Sequence, residues 1–212
     1  MKNNNLKILS LGGVLGPLLY TTVVLISAGL RPNYSHVSQF MSDLGATGSP
    51  NADFMNYMGF IPSGLMIASF GISLIMLLSN SLTSRIGSVL VTIFGIGMVV
   101  VGFFSCDIGC PREGSLENTI HDQISGPIFL SVITGILLLG ISFRKHSVLK
   151  RLWVYSIITS LLCFGFMAGL INAIESNYLI GIWQRMLLST IFIWCVVMGL
   201  KIFKSNLTEG NA

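Results

Sequence analysis

The chain has 212 residues, 52% of them hydrophobic and only 9% charged, with a formal net charge of +4. Soluble domains carry roughly 25% charged residues, so this composition argues against a water-soluble domain and points to the bilayer. The 12 Lys and Arg lie beside apolar segments and form no basic stripe, which argues against a nucleic-acid partner and leaves membrane lipids.

Six apolar segments follow in chain order, at about 8–30, 57–78, 86–104, 124–143, 152–171 and 182–203. Each is close to the ~20 residues that cross a hydrocarbon core as a helix. The runs are continuous and lack the alternation of a barrel strand. The fold class expected is therefore all-α, a single-domain integral membrane bundle of six transmembrane helices. The first segment follows Lys2 and Lys7, but it is too long for a signal-peptide core and reads as a retained helix. Gly12 with Gly16, and Gly165 with Gly169, have the small-residue spacing that lets helices pack closely within such a bundle.

Between the first two segments lies "RPNYSHVSQFMSDLGATGSPN", residues 31 to 51. Pro32 ends the first helix. Tyr34, Val37, Met41 and Leu44 then recur at spacings of three and four, which predicts a short amphipathic helix at the interface, stopped by Gly45. The circumference left over carries Ser35, His36, Ser38, Gln39, Ser42 and Asp43. One reading is a polar face that meets water. The other is a site at the bundle mouth, because His titrates near neutrality and Ser needs an oriented base to act.

The third and fourth segments are joined through "SCDIGCPREGSLENTIHDQISGP", residues 105 to 127. Cys106 and Cys110 flank a turn and can form a disulfide; Cys163 and Cys195 sit inside apolar runs and read as small hydrophobes. Asp107 closes the third segment, and His121 with Asp122 opens the fourth. His36, His121 and an aspartate such as Asp107 would make a three-ligand site for a divalent metal. The competing reading gives Asp122 and Glu117 to the positive end of a helix dipole. Between the last two segments, Arg185 stands about one turn into the helix with Glu175 or Asp107 as possible partners; it also fits an arginine that snorkels to headgroups beside Trp183.

Basic residues set the orientation. With the N-terminus inside, Lys2, Lys7, Arg85, Arg144, Lys145, Lys150, Arg151, Lys201 and Lys204 face the cytoplasm, against Arg31, Arg112 and Arg185 outside. Both termini are then cytoplasmic, in a plasma (inner) membrane. All acids except Glu209 fall on the outer side.

The motifs "RPNYSHVSQFMSDLGATGSPNA", "GFIPSGL", "FFSCDIGCP" and the downstream "HD" resemble the bacterial and archaeal membrane family called domain of unknown function 998. The resemblance covers about residues 12–199. It implies a six-helix membrane protein whose pattern matches here at Arg31, Pro32, Ser35, Ser38, Asp43, Leu44, Gly45, Asn51, Cys106, Asp107, Cys110, Pro111 and His121. Relatives often carry the longer acid where Asp43 stands. The resemblance brings no reaction with it.

Three functions are compatible with these residues. The first is an interfacial hydrolase acting on a lipid or lipid-like substrate, with His36, Asp43, Asp107 and His121 as catalytic candidates. Arg31, Ser35, Ser38, Asn51 and Arg185 would then bind substrate. The sequence has no G-x-S-x-G, H-E-x-x-H or C-x-x-C motif to support it. The second is a non-catalytic lipid-binding, sensor or assembly protein, whose outer residues form a lid that satisfies its own hydrogen bonds. The third is a small-molecule transporter, which fits poorly with mid-segments free of charge.

Overall fold

A computed structural model describes residues 2–78 and 81–205. Among them are six helices long and apolar enough to cross a membrane: α1 Asn4–Leu30, α2 Ala52–Leu77, α3 Leu82–Phe103, α4 Leu116–Phe143, α5 Lys150–Ser176 and α6 Ile180–Lys204. No strand occurs among the described residues. The chain is an integral membrane protein. Each helix packs on its neighbour in sequence, and α6 returns to α1, so the six close into a ring.

Small residues bring the helices together. A Cβ on Gly64 of α2 would stand 2.6 Å from the Gly95 carbonyl of α3, and one on Gly16 of α1 would stand 2.9 Å from the Ser63 carbonyl of α2. Such contacts are the close approach that glycine allows within lipid, where apolar burial alone does not drive helices together. Gly12 packs in the same interface as Gly16. The other spaced pair divides: Gly169 meets the Trp183 ring, while Gly165 faces open space. Hydrogen bonds add to the seams. Trp194 Nε1 donates to Ser156 Oγ at 2.9 Å, and Ser160 Oγ donates to the Ile133 carbonyl at 2.9 Å. Phe70 and Trp194 fill the ring on the side away from the 31–51 connection, edge to face at 6.1 Å. Leu18, Leu65, Ile93, Leu130, Leu161 and Ile193 point outward, where lipid takes the place of water as solvent.

Two helices begin earlier than hydropathy suggests. In α2 the first turns include a π-helical stretch, Met55–Phe60, of the kind often found near functional sites. It aims Phe60 at the ring interior and sets Asn56 Nδ2 against the Gly45 carbonyl at 2.9 Å. α4 begins at Leu116, capped by Ser115, whose Oγ accepts the Asn118 N–H at 3.1 Å. His121 and Asp122 therefore sit inside α4 instead of at its mouth.

The amphipathic helix expected after α1 does not form. The segment holds one 3-10 turn, Ser42–Gly45, and is otherwise irregular. One helical bond survives, Gln39 N–H to the Ser35 carbonyl at 3.0 Å, but other backbone groups bond elsewhere: Met41 N–H donates to Gln184 Oε1 at 2.7 Å, Ser35 N–H to Gln39 Oε1 at 2.7 Å, and Val37 C=O accepts from Ile182 N–H at 3.2 Å. Asn33, at φ 60°, also leaves the right-handed region. These tertiary and side-chain bonds replace the helical ladder that the apolar spacing would otherwise support.

Candidate functional site: a polar lid over an intramembrane cavity

The connections 31–51 and 104–115 meet at one end of the ring. Their joint is Asp43, 1% exposed, whose Oδ2 lies 3.2 Å from Arg31 Nη2. Arg31 Nη1 also donates to the Asp43 backbone carbonyl. Gln39 Nε2 donates to Oδ2 at 2.8 Å, and Gly109 N–H reaches across from the second connection to Oδ1 at 2.7 Å. An ion this deeply buried is tolerated only when paired and hydrogen-bonded, and Asp43 has both.

Beside it, Thr47 N–H donates to the Cys106 carbonyl at 2.8 Å and Thr47 Oγ1 lies 2.9 Å from Ser105 Oγ. Cys106 and Cys110 form the disulfide, pinning the turn that carries Asp107. The Asp107 carboxylate is engaged locally: it accepts Ser115 N–H and Ser115 Oγ–H, each at 2.8 Å. Asp107 thus holds the residue that caps α4.

Arg185 joins the first connection to α6. It donates to the Gln39 carbonyl at 3.1 Å, the Gly181 carbonyl at 2.9 Å and the Tyr34 hydroxyl at 2.6 Å. Neither Glu175 nor Asp107 pairs with it, correcting that expectation: Asp107 is committed to Ser115, and the folded-back loop brings Tyr34 and Gln39 to the guanidinium first. Ser35, Ser38 and Asn51 shape the loop. Ser35 Oγ accepts the Ser38 N–H at 3.3 Å. Asn51 takes a left-handed φ of 64° at the start of α2 and makes no side-chain capping bond.

Beneath this lid, inside the ring, lies a cavity of about 360 Å³ to which all six helices contribute. Its walls are apolar, with Tyr20, Phe60, Phe94, Met98, Phe129 and Met167 among them. Its polar lining is Ser42, His121, Asp122, Ser125 and Gln184, together with Cys110. His121 is 7% exposed, and its Nδ1 lies 2.9 Å from the Phe104 carbonyl. A carbonyl only accepts, so this bond needs the proton on Nδ1 and leaves Nε2 as an acceptor in the neutral ring. Ser125 Oγ donates to the His121 carbonyl at 2.6 Å, so no hydroxyl at the cavity pairs with the His121 imidazole among the described residues.

His36 lies elsewhere. It is exposed, edge-on to the Tyr34 ring at 5.3 Å, and lines a separate groove between α1 and α6. Partial burial and then the charge of Arg185 hold its imidazole below the usual histidine range. No three His, Cys, Asp or Glu side chains are grouped to hold a metal among the described residues. The set His36, His121 and Asp107 is therefore not assembled: the first faces the groove, the second is tied to Phe104 and the third to Ser115.

The sequence pattern places Gln39 and Ser42 on the polar circumference and Gln184 beside Arg185 but gives none of them a role; Gln184 Oε1 in fact holds the lid through Met41 N–H. Tyr34, assigned to the apolar stripe, and Ser125 and Gly126 were missed.

No curated protein and no solved structure matches the chain. A family model matches residues 14–201, and by that match the chain belongs to the family described as protein of unknown function (DUF998).

Proposed function

We propose that this membrane protein binds a lipid-like amphiphile inside its helix ring, with the apolar part among Phe94, Phe129 and Met167 and the polar end at His121, Asp122 and Gln184. The observation that carries this reading is the cavity itself. At about 360 Å³ it lies in the ~300–1,000 Å³ range of small-molecule sites, which are mostly apolar with a few convergent polar groups. The lid supports binding over hydrolysis. Two of the four catalytic candidates, Asp43 and Asp107, have their carboxylates engaged in holding loops, and His36 and His121 line different hollows.

Gly126 gives the test. It lines the cavity and a Cβ there meets nothing within 4 Å, so Gly126→Phe fills the space without disturbing a packed seam. Protein purified in mild detergent should yield a near-stoichiometric amphiphile by solvent extraction and mass spectrometry, and Gly126→Phe should lose it while keeping its Tm. Equal recovery from both proteins would refute the reading.

A hydrolase remains the second reading because His121 is fixed in the tautomer that leaves Nε2 free to accept a proton. It predicts that His121→Ala, at normal protein level, alters the cellular lipid profile; an unchanged profile would remove it. We further propose that the lid faces outward, both termini being cytoplasmic. A tag after Ala212, which lies outside the described residues, should then react only from the cytoplasmic side.

A further inference from the structure

We propose that Arg185 and the groove between α1 and α6 form a docking site for an anionic phospholipid, the phosphate on the guanidinium and an acyl chain along the groove. This site is separate from the cavity and does not rest on the reading above. The groove, about 320 Å³, is lined by Thr21, Val24, Leu25, Leu188 and Phe192, with His36 and Arg185 at its polar end. An apolar trough that ends in a cation has the chemistry of one lipid molecule, tail and head.

The charge argument is specific. Arg185 is partly buried, yet its acceptors are the Gln39 carbonyl, the Gly181 carbonyl and the Tyr34 hydroxyl, all neutral. No carboxylate of the described residues pairs with it; the acid nearest in role, Asp43, is taken by Arg31. A guanidinium has five N–H donors, and three are engaged here. The two left, together with a whole positive charge at the membrane boundary, match a phosphate, the ligand for which arginine's planar fork is best suited. His36 at the same end already feels the Arg185 charge. Tyr20 and Leu188 line both hollows, so a docked lipid would lie against the cavity's outer wall.

The test uses the full chain in nanodiscs of phosphatidylcholine with phosphatidylglycerol, followed by detergent release and native mass spectrometry of retained lipid. Wild type should retain phosphatidylglycerol over phosphatidylcholine by about tenfold, the worth of a charge-assisted contact. Arg185→Gln should abolish that preference and Arg185→Lys should keep part of it. Should Arg185→Gln misfold, Leu25→Trp serves instead: Leu25 is 61% exposed, lines the groove and not the cavity, and leaves every Arg185 hydrogen bond in place. It should lose phosphatidylglycerol while still carrying the cavity amphiphile that Gly126→Phe loses. Equal retention of both lipids by wild type, or full retention by Leu25→Trp, would overturn the proposal. Displacement of the lipid by millimolar inorganic phosphate would also overturn it, assigning the site to a small free anion.

Discussion

Arg31 and Arg185 both lie close to one aromatic ring, their guanidinium carbons 5.8 Å and 5.7 Å from the centre of Tyr34. They are the same residue in nearly the same place, but their surroundings differ. Arg31 is spent on Asp43, in a pair that also gathers Gln39 and Gly109. Arg185 meets only neutral oxygens. The difference separates architecture from availability: a buried charge that is fully answered holds loops together, and one that is unanswered is left for a ligand.

The contrast can be broken most forcefully at Asp43. Removing one partner of a buried ion pair strands the other, so Asp43→Ala should cost about 3–5 kcal/mol, read as a large loss of Tm in detergent; a loss below ~1 kcal/mol, the worth of an exposed pair, would make the two arginines equivalent. Arg185→Gln should cost only about 1 kcal/mol, because neutral acceptors survive its loss, while changing lipid retention. The same variant sharpens the comparison at His36. With one of the two causes of its lowered pKa removed, the His36 titration followed by NMR should move up toward the ordinary histidine value; no movement would mean that Arg185 does not charge the groove.

The far end of the ring offers the smallest effect and a control. His146 is buried; its Nδ1 accepts Val148 N–H at 3.2 Å and Leu149 N–H at 3.3 Å, and burial holds its pKa below the usual value. A lowered histidine pKa contributes stability that is present above the unfolded value of about 6.5 and is lost as pH falls through the folded one. Tm should therefore decline on acidification, and His146→Asn, which keeps an acceptor oxygen near Nδ1, should flatten that decline. An unchanged decline would locate the pH dependence elsewhere.

The six helices could be read from the chain because each segment carries its own signal, a long apolar run that needs no partner to be recognised. The disulfide was legible for a similar reason, two cysteines four apart in a turn. The α4 start was misjudged since its first two turns, "LENTIHDQ", are polar and carry no apolar run, only the Ser115 cap and the first-turn acid Glu117. The stripe Tyr34, Val37, Met41 and Leu44 misled: period describes what a helix would bury, not whether Gln184 and Gln39 will take the backbone first. Charge counting did gather the right loops, but it could not tell that Asp43 would be consumed in joining them and Asp107 in holding Ser115. The cavity left no trace in the sequence, because it is a space between side chains as distant as Tyr20 and Gln184, and Gly126 helps to leave it open.

Photo-crosslinking in native membranes tests the central claim most directly, with a fatty acid that carries a diazirine along its chain and adducts mapped by peptide mass spectrometry. If the ring holds an amphiphile, adducts fall on Met98, Phe129 and Met167, which line the cavity, and Gly126→Phe removes them. Adducts confined to the outward-facing Leu130 and Leu161, unchanged in that variant, would mean that lipid touches only the outside of the ring.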